Sequence, residues 1–395
     1  MVTTHEPEFV ETIVIGGGQA GLSVGYHLSR RGQNFLILDA SQRIGDSWRE
    51  RWDSLRLFTP ARYDGLAGMP FPADPHYFPT KDEMADYLVS YAEHFNLPVR
   101  SGVRVERLTR RGSRFLIEVG AHVFEADNVV VAMSNCQRPR VPSFAGDLNP
   151  DIVQLHGSAY RNPSQLRDGA VLVVGAGNSG AEIANEVAGH HPVSMSGRDV
   201  GQIPFDINGT AGRLILVRAV LRGAFHHILT VATPIGRRAR PTILSQGGPL
   251  IRTKRKHLAE AGVKFVPRVA GVRDGTPLLD DGTVLDIANV IWCTGYDAGL
   301  SWIDLPVHGE HEPLHHRGIV PDVPGLYFVG LEFLYSLSSS MVHGLGDCYR
   351  GSWRIKGRRE RSRGRDGVVT VQGCQSGTGS RDPVRFRPTQ PAHWR

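Results

Sequence analysis

The stretch Thr12 to Asp39, TIVIGGGQAGLSVGYHLSRRGQNFLILD, reads as a strand, a glycine turn, a helix and a second strand that ends in an acid. Ile13, Val14 and Ile15 give a short buried-strand signal. Gly16, Gly18 and Gly21 supply GxGxxG, with Gln19 and Ala20 inside the turn, and Leu22 to Arg30 carries helical spacing. That order predicts a dinucleotide-binding unit. The first glycine permits the tight turn, the second lets the backbone approach a pyrophosphate at the helix N-terminus, and the third lets helix and strand pack closely. Asp39 lies 23 positions after Gly16, where a carboxylate accepts hydrogen bonds from the ribose hydroxyls of an adenosine without a 2′-phosphate. GxGxxG alone is a weak signal that an ordinary strand-to-helix turn also produces; strand, helix and terminal acid in register argue against that plainer reading.

The pattern returns at Ala170. AVLVVGAGNSGAEIANEVAGHHPVSMSGR repeats strand, glycine turn (Gly175, Gly177 and Gly180, with Asn178 and Ser179 between), helix and strand, and ends at Arg198, again 23 positions after the first glycine. Where an acid suits a free 2′-hydroxyl, the planar fork of an arginine suits a 2′-phosphate, so the second unit is expected to take NADPH. A solvated surface arginine is the alternative. The far ends echo each other too: DNVVVAMSN from Asp127 to Asn135, and DIANVIWCTG from Asp286 to Gly295, each read as a buried strand after an acidic turn. Pro324 to Gly330, PGLYFVG, reads as one more strand, apolar enough to rejoin the first sheet. The expected fold class is therefore α/β, two nested Rossmann-like dinucleotide-binding domains. Residues 1–165 and 297–346 would form a discontinuous domain for a dinucleotide without a 2′-phosphate, 166–296 an inserted NADPH-binding domain, and 347–395 a basic, disordered tail.

Composition agrees with a soluble globular chain: 395 residues, 41% hydrophobic and 21% charged. The pI of about 9.3 invites a nucleic-acid reading, but residues 347–395 hold 12 Lys and Arg against 4 Asp and Glu, which leaves the first 346 residues at −2 within a net charge of +6. No nucleic-acid partner is expected of that body. The four cysteines, Cys136, Cys293, Cys348 and Cys374, are far apart and suggest neither zinc nor a redox pair. Adjacent histidine pairs such as His226 and His227 point different ways on a helix or strand, which disfavours shared metal ligation. Met1 to Val10 does not look like a signal peptide, so a cytoplasmic protein is expected.

Between the motifs, Ser41 to Pro72 is rich in aromatics, glycine and proline, and Trp48, Trp52, Leu55, Leu57 and Phe58 suggest a long connection lying over a ligand. A helix capped by Thr80 is expected through His94, with Met84, Leu88 and Tyr91 on one face. Strands are expected at 103–108, 114–119, 122–125 and 128–133. The most apolar segment, Gly212 to Gly236, carries Arg218 and Arg222 near its middle and does not read as a membrane span. Leu214, Val217, Leu221, Phe225 and Ile228 share a helical face, to pack on the domain or to cover a substrate channel.

Two nested units with these joints resemble the flavin-containing monooxygenases, the flavoprotein class that also includes Baeyer–Villiger and auxin-synthesis enzymes. The resemblance runs from about Thr12 to Gly346. It is carried by GGGQAG (Gly16 to Gly21), GDSW (Gly45 to Trp48), WDSLRLFTP (Trp52 to Pro60), VQLHGSAYRNP (Val153 to Pro163), GAGNSG (Gly175 to Gly180), CTGY (Cys293 to Tyr296) and PGLYFVGLEFLYSLSS (Pro324 to Ser339). A loosened form of the family fingerprint places Phe144, Gly146, His156 and Tyr160 in its roles, and Tyr160, where the Baeyer–Villiger branch has tryptophan, points to N- or S-oxygenation or the auxin-type branch. The gap from Gly146 to His156 is longer than the fingerprint's. In the family that histidine couples domains, which fits a satisfied histidine at the joint equally well.

The resemblance implies FAD and NADPH as cofactors. It implies contacts to them from Gly16, Gly18, Gln19, Ala20, Gly21, Asp39, Ala40, Ser47, Trp48, Val103, Gly175, Gly177, Asn178, Ser179, Gly180, Ser196, Arg198, Thr294 and Gly330. The implied reaction is hydride transfer from NADPH to FAD, addition of O2 to give a C4a-peroxyflavin, and delivery of one oxygen atom to a small organic substrate. An asparagine that assists in some members is replaced here by Phe58. Rival readings are a flavin disulfide reductase, which lacks its cysteine pair here, and a degenerate flavoprotein with NADPH oxidase activity or none. The resemblance stops near Gly346, and the arginine-rich sequence beyond reads either as an interaction tail or as a shifted reading frame.

Overall fold

The computed structural model describes residues 6–348, apart from 208, 210–215 and 310–311. Of the expected tail, Asp347 and Cys348 are helical and the rest lies outside the described residues, as does the start of the apolar segment at Gly212. The opening stretch folds as read. Strand β1 (Glu8–Ile15) leads through the glycine turn into helix α1 (Gln19–Ser29) and strand β2 (Phe35–Leu38), and β1 and β2 pair in parallel from Thr12↔Phe35 to Ile15↔Leu38. All four residues of β2 are buried, as expected of a parallel strand covered on both faces.

A short helix α2 (Asp46–Arg49) follows, then α3 (Lys81–His94). The Thr80 hydroxyl accepts from the Glu83 N–H while the Glu83 carboxylate accepts from the Thr80 N–H at 2.7 Å, a reciprocal cap worth about 1 kcal/mol. Met84, Leu88 and Tyr91 are fully buried beneath it, as their spacing predicts. Strands β3 (Val99–Arg100), β4 (Arg107–Arg111), β5 (Arg114–Val119) and β6 (His122–Val131) complete the first sheet, in the order β3-β2-β1-β6-β5-β4, with a final strand from residues 326–328 added to β6.

Two strand expectations change. The 103–108 strand is replaced by β4, because the Val103 N–H turns to the Asp39 carbonyl at 2.8 Å. The expected strands at 122–125 and 128–133 are one strand, with Asp127 inside it rather than in a turn. Arg114 on β5 reaches Glu125 at 2.9 Å and Asp127 at 3.7 Å, so the acid is compensated across the ladder and pairing continues.

The second unit has a parallel sheet of its own. Strands β7 (Arg138–Pro139), β8 (Val153–His156), β9 (Val171–Val174), β10 (Val193–Ser196), β11 (Lys264–Val266), β12 (Val269–Arg273), β13 (Thr276–Leu279), β14 (Asn289–Trp292) and β15 (Tyr296–Asp297) lie between the halves of the first. Its order is β11-β10-β9-β14-β8, with helix α4 (Asn178–Val187) after β9 and the β12–β13 hairpin alongside. Because β8 pairs in parallel with β14, this unit begins upstream of the expected boundary at 166. Entry and exit run side by side: β7 pairs antiparallel with β15, Tyr296 opposite Pro139. Strand β16 (Leu326–Phe328) then returns to β6 in parallel, as expected, and α7 (Val342–Cys348) follows.

Between β10 and β11 lie α5 (Pro234–Gln246) and α6 (Arg255–Glu260), preceded by a π-helical segment, Ala219–Ile228. Val217, Leu221 and Phe225 are buried with Tyr63, Phe78 and Phe333 of the first unit, so the core-packing reading of this segment holds. Ile228 is 49% exposed and does not share that face, because π-helical winding rotates it away. Phe58 packs on the same cluster. Among the described residues no helix is long and apolar enough to cross a membrane.

Candidate active site

The two glycine turns are the framework of the site. In the first, Gly16 adopts φ 109° and a Cβ there would meet the Ala132 carbonyl oxygen at 2.8 Å, while a Cβ on Gly21 would overlap the Gly16 carbonyl. Around Gly18, by contrast, a Cβ would meet nothing within 4 Å. The outer glycines thus pack the turn shut against protein, and the middle one faces open space at the N-terminus of α1, whose first turn carries no acid. The second turn repeats this. Gly175 (φ 117°) presses on Cys293, Gly180 on Gly175, and Gly177 has open space at the start of α4. An open cradle at the positive end of a helix is what a pyrophosphate needs, so both turns fit dinucleotides.

Around the first turn, the Asp39 carboxylate accepts from the Gly17 N–H and, at 2.6 Å, from the Ser41 N–H. Both oxygens keep a lone pair for ribose hydroxyls. Val103 lies against the Asp39 backbone, and Ala40 is exposed beside it. Trp48 donates its indole N–H to Gln19 at 3.3 Å, which brings GDSW to the head of α1. Gly45 (φ 88°) has Ala85 where a Cβ would be, Ser47 is exposed, and Gly330 (φ 74°) sits over Ala20. Each of these expected FAD residues is gathered around one turn.

The second turn gathers fewer. Arg198 is exposed, with no ion-pair partner among the described residues, and Ser179 is exposed at the head of α4. Ser196, Asn178 and Thr294 do not offer free side chains. Ser196 is fully buried, donating to the Pro267 carbonyl at 2.9 Å and accepting from the Val269 N–H at 3.1 Å. Asn178 donates to the Pro249 carbonyl and accepts from the Ile251 N–H, both at 3.0 Å, and pins that loop to α4. Thr294 donates to the Arg140 carbonyl. Their side-chain polar atoms hold the domain together, so any nucleotide contact from these three residues falls to their backbone.

The fingerprint residues form the joint between units. His156 Nδ1 meets Ser158 Oγ at 2.9 Å and Nε2 meets the Gly295 carbonyl at 3.1 Å, with Tyr296 edge-on at 5.0 Å. Burial, only partly opposed by the Gly295 carbonyl, lowers its pKa and keeps the ring neutral. Tyr160 is fully buried and donates to Glu186 at 2.8 Å; burial and that carboxylate push its phenol up. Neither side chain is left with a group to transfer a proton. Asn162 donates to Asp53 at 2.7 Å and Arg51 to the Tyr296 hydroxyl at 3.3 Å, so WDSLRLFTP, AYRNP and CTGY meet as one interlocked seam. Cys293 is free, and burial beneath the second glycine turn pushes its thiol up to about 12; Cys136 is free and exposed. A buried, protonated thiol is a poor nucleophile.

Two acids went unremarked in the sequence. Asp64 is fully buried; its Oδ1 accepts from Thr59, its Oδ2 has no hydrogen-bond partner among the described residues, and burial pushes it up to about 8. Glu332, beyond β16, is pushed up to about 7 by burial. Each is a single acid inside an apolar run, a pattern that sequence alone does not separate from a surface position.

Comparison with known proteins decides the lineage. Residues 13–203 match the pyridine nucleotide-disulphide oxidoreductase family. An oxidoreductase described as CzcO-like from Geobacillus kaustophilus is 38% identical over 341 residues, covering 85% of this chain and 95% of that one. The flavin-containing monooxygenase from Stenotrophomonas maltophilia superposes with a TM-score of 0.69 at 26% identity, over 86% of this chain and 95% of that one. The chain belongs with the CzcO-like oxidoreductases and is similar in structure to flavin-containing monooxygenases. A probable indole-3-pyruvate monooxygenase of Arabidopsis thaliana, YUCCA7, is 29% identical and covers 74% of this chain and 75% of its own. FAD and NADPH are the cofactors this kinship supports, and the chain offers two open glycine turns for two dinucleotides.

Proposed function

We propose that this oxidoreductase is an NADPH- and FAD-dependent monooxygenase that inserts one atom of O2 into a small organic substrate, by N- or S-oxygenation or a related reaction. The observation that carries it is the pair of open glycine turns, one ending in the acceptor Asp39 and the other in the exposed Arg198. Bound FAD would accept hydride from NADPH and, once reduced, activate O2.

The chain's own part is placement and exclusion of water. Gly18 and Gly177 leave room for the pyrophosphates, Asp39 takes ribose hydroxyls, and Arg198 takes a 2′-phosphate. The seam of His156, Tyr160, Asp53 and Arg51 fixes the two cradles relative to each other. The aromatic connection, with Trp52 and Leu57 buried and Trp48 on Gln19, covers the first cradle and keeps solvent out. The deeply buried Cys293 thiol argues against dithiol chemistry at this seam.

The test is NADPH oxidation under 18O2 with thioethers, amines and ketones in turn. One labelled oxygen in product per NADPH consumed is the expected result. Consumption that yields hydrogen peroxide alone, whatever the substrate, would replace this reading with an NADPH oxidase.

A further inference from the structure

Residues 207–259 carry no Asp or Glu and ten Lys and Arg, a run of +10 within a first 346 residues that otherwise sum to −12. The run contains the helical elements between β10 and β11. Some of its cations are spent on acids elsewhere: Arg240 pairs with Glu312, Arg252 with Glu182 and Lys256 with Glu260. Arg218, Arg237 and Arg238 are exposed and meet no acid among the described residues. They flank an apolar corner. Ile228 ends the π-helical segment and is 49% exposed; Ile235, in the first turn of α5, is 61% exposed, the most of any large apolar side chain described. The Thr233 hydroxyl bonds the Ile228 carbonyl and accepts from the Gly236 N–H at 3.0 Å, and a Cβ on Gly236 would overlap the Thr230 carbonyl. The two isoleucines therefore share one tight turn. Arg237 donates to the Val231 and Ala232 carbonyls at 3.3 and 3.0 Å, which holds its charge at the edge of that turn.

The fold does not need this corner outside. Its base is fixed to the first unit, where the Val231 N–H donates to the Tyr335 carbonyl at 2.8 Å, and Val217, Leu221 and Phe225 fill the buried face. What meets the tip must accept aliphatic side chains and positive charge together. Isoleucines offer bases no stacking surface, which disfavours a nucleic acid. A second copy, or residues 347–395 with their net +8, would set like charge against like. A bilayer with anionic headgroups matches both features, since its headgroup and acyl boundary takes apolar side chains while its phosphates and carboxylates meet arginines. We propose that the corner at Ile228 and Ile235 docks on the surface of an anionic membrane, lying on it rather than spanning it. The proposal is independent of the chemistry at the glycine turns.

The test is co-sedimentation of the full chain with sucrose-loaded vesicles, of phosphatidylcholine alone and of phosphatidylcholine with about one-third phosphatidylserine. Wild type is expected to partition to the mixed vesicles at least about tenfold more strongly than to the neutral ones, and to be released as salt is raised. Ile228→Ser combined with Ile235→Ser keeps every charge, those of residues 347–395 included, and is expected to weaken partition about tenfold. Arg218→Gln combined with Arg238→Gln is expected to weaken it about thirtyfold. All four side chains are exposed, so melting temperatures should stay within about 2 °C of wild type. Should the isoleucine pair not fold, Ile235→Ser alone decides, with a loss of at least about threefold expected. Wild type that ignores the mixed vesicles overturns the proposal. So does an isoleucine variant that partitions as wild type does, which assigns the binding to charge alone. A chain that vesicles do not hold but that binds a single-stranded oligonucleotide, and loses it in the arginine variant, makes the surface a nucleic-acid one and overturns the proposal as well.

Discussion

Set side by side, the two glycine turns share a skeleton and differ at one register position. The Gly16 N–H donates to the Leu38 carbonyl at 2.8 Å and the Gly175 N–H to the Ser196 carbonyl at 2.7 Å, so Leu38 and Ser196 are equivalent. Asp39 therefore matches Gly197, and Arg198 matches Ala40, although Asp39 and Arg198 stand at equal distances from their first glycines in sequence. Small residues trade places accordingly. In the first unit Gly17 is bare because the Asp39 carboxylate fills the space a Cβ would take; in the second Ala176 has a Cβ and Gly197 is bare, since its own Cβ would crowd Ala176. Equal counting in the sequence conceals this shift. The acid is folded back onto its turn, whereas the arginine stands one step further out, in solvent, where it can reach a phosphate on the ribose.

The largest expected effect comes from the parts the two turns share. Gly21→Val and Gly180→Val each drive a side chain into the carbonyl of the turn's first glycine, and each should cost upwards of about 4 kcal/mol, seen as a lowered chemical-denaturation midpoint. Stability near that of wild type in either would show that the turn is not closed as described. Gly18→Val and Gly177→Val separate the units more cleanly, because both side chains enter open space. The first should lower FAD affinity at least about a hundredfold and the second NADPH affinity likewise, with ligand-free melting temperatures within about 2 °C of wild type. Loss of the same cofactor from both variants would collapse the two-site assignment.

Buried acids extend the contrast. Glu182 in the second unit is raised by burial but is met by Arg252 at 3.1 Å, whereas Asp64 in the first has one partner and a bare oxygen. Asp64 shifts from 3.8 to about 8, so between those values the native state holds a proton that the unfolded chain has lost. Stability should therefore fall as pH rises from about 4 to about 8, by about 5 kcal/mol, and Asp64→Asn should flatten that slope in urea titrations. An unchanged slope would mean that Asp64 is ionised in place. The smallest effect belongs to Arg198. Its replacement by alanine should weaken NADPH by about 1 to 3 kcal/mol and leave NADH nearly untouched; equal losses would remove it from the phosphate role.

What the sequence made legible is what period and turn chemistry encode. Both βαβ openings, the Thr80 cap and the returning β16 follow from local pattern. That the side chains of Ser196, Asn178 and Thr294 are spent on backbone partners was not legible, because family motifs mark positions near a cofactor and leave open what each polar atom bonds. The continuity of β6 through Asp127 was hidden for a related reason: the compensating Arg114 arrives from a neighbouring strand. Glu332 and Asp64 gave no local signal, since burial of a single acid is decided by packing from distant segments.

The pairing of β7 with β15 has a consequence for how such a chain could have been assembled. Arg140 donates its N–H to the Gly295 carbonyl at 3.0 Å and Tyr296 lies opposite Pro139, so the insert leaves the host almost where it entered. A cassette with adjoining ends can be lifted out, replaced by a homologous one or bridged by a few residues without stretching what remains. That makes 138–297 a natural unit for grafting nucleotide preference between relatives, by exchange of whole modules rather than single side chains.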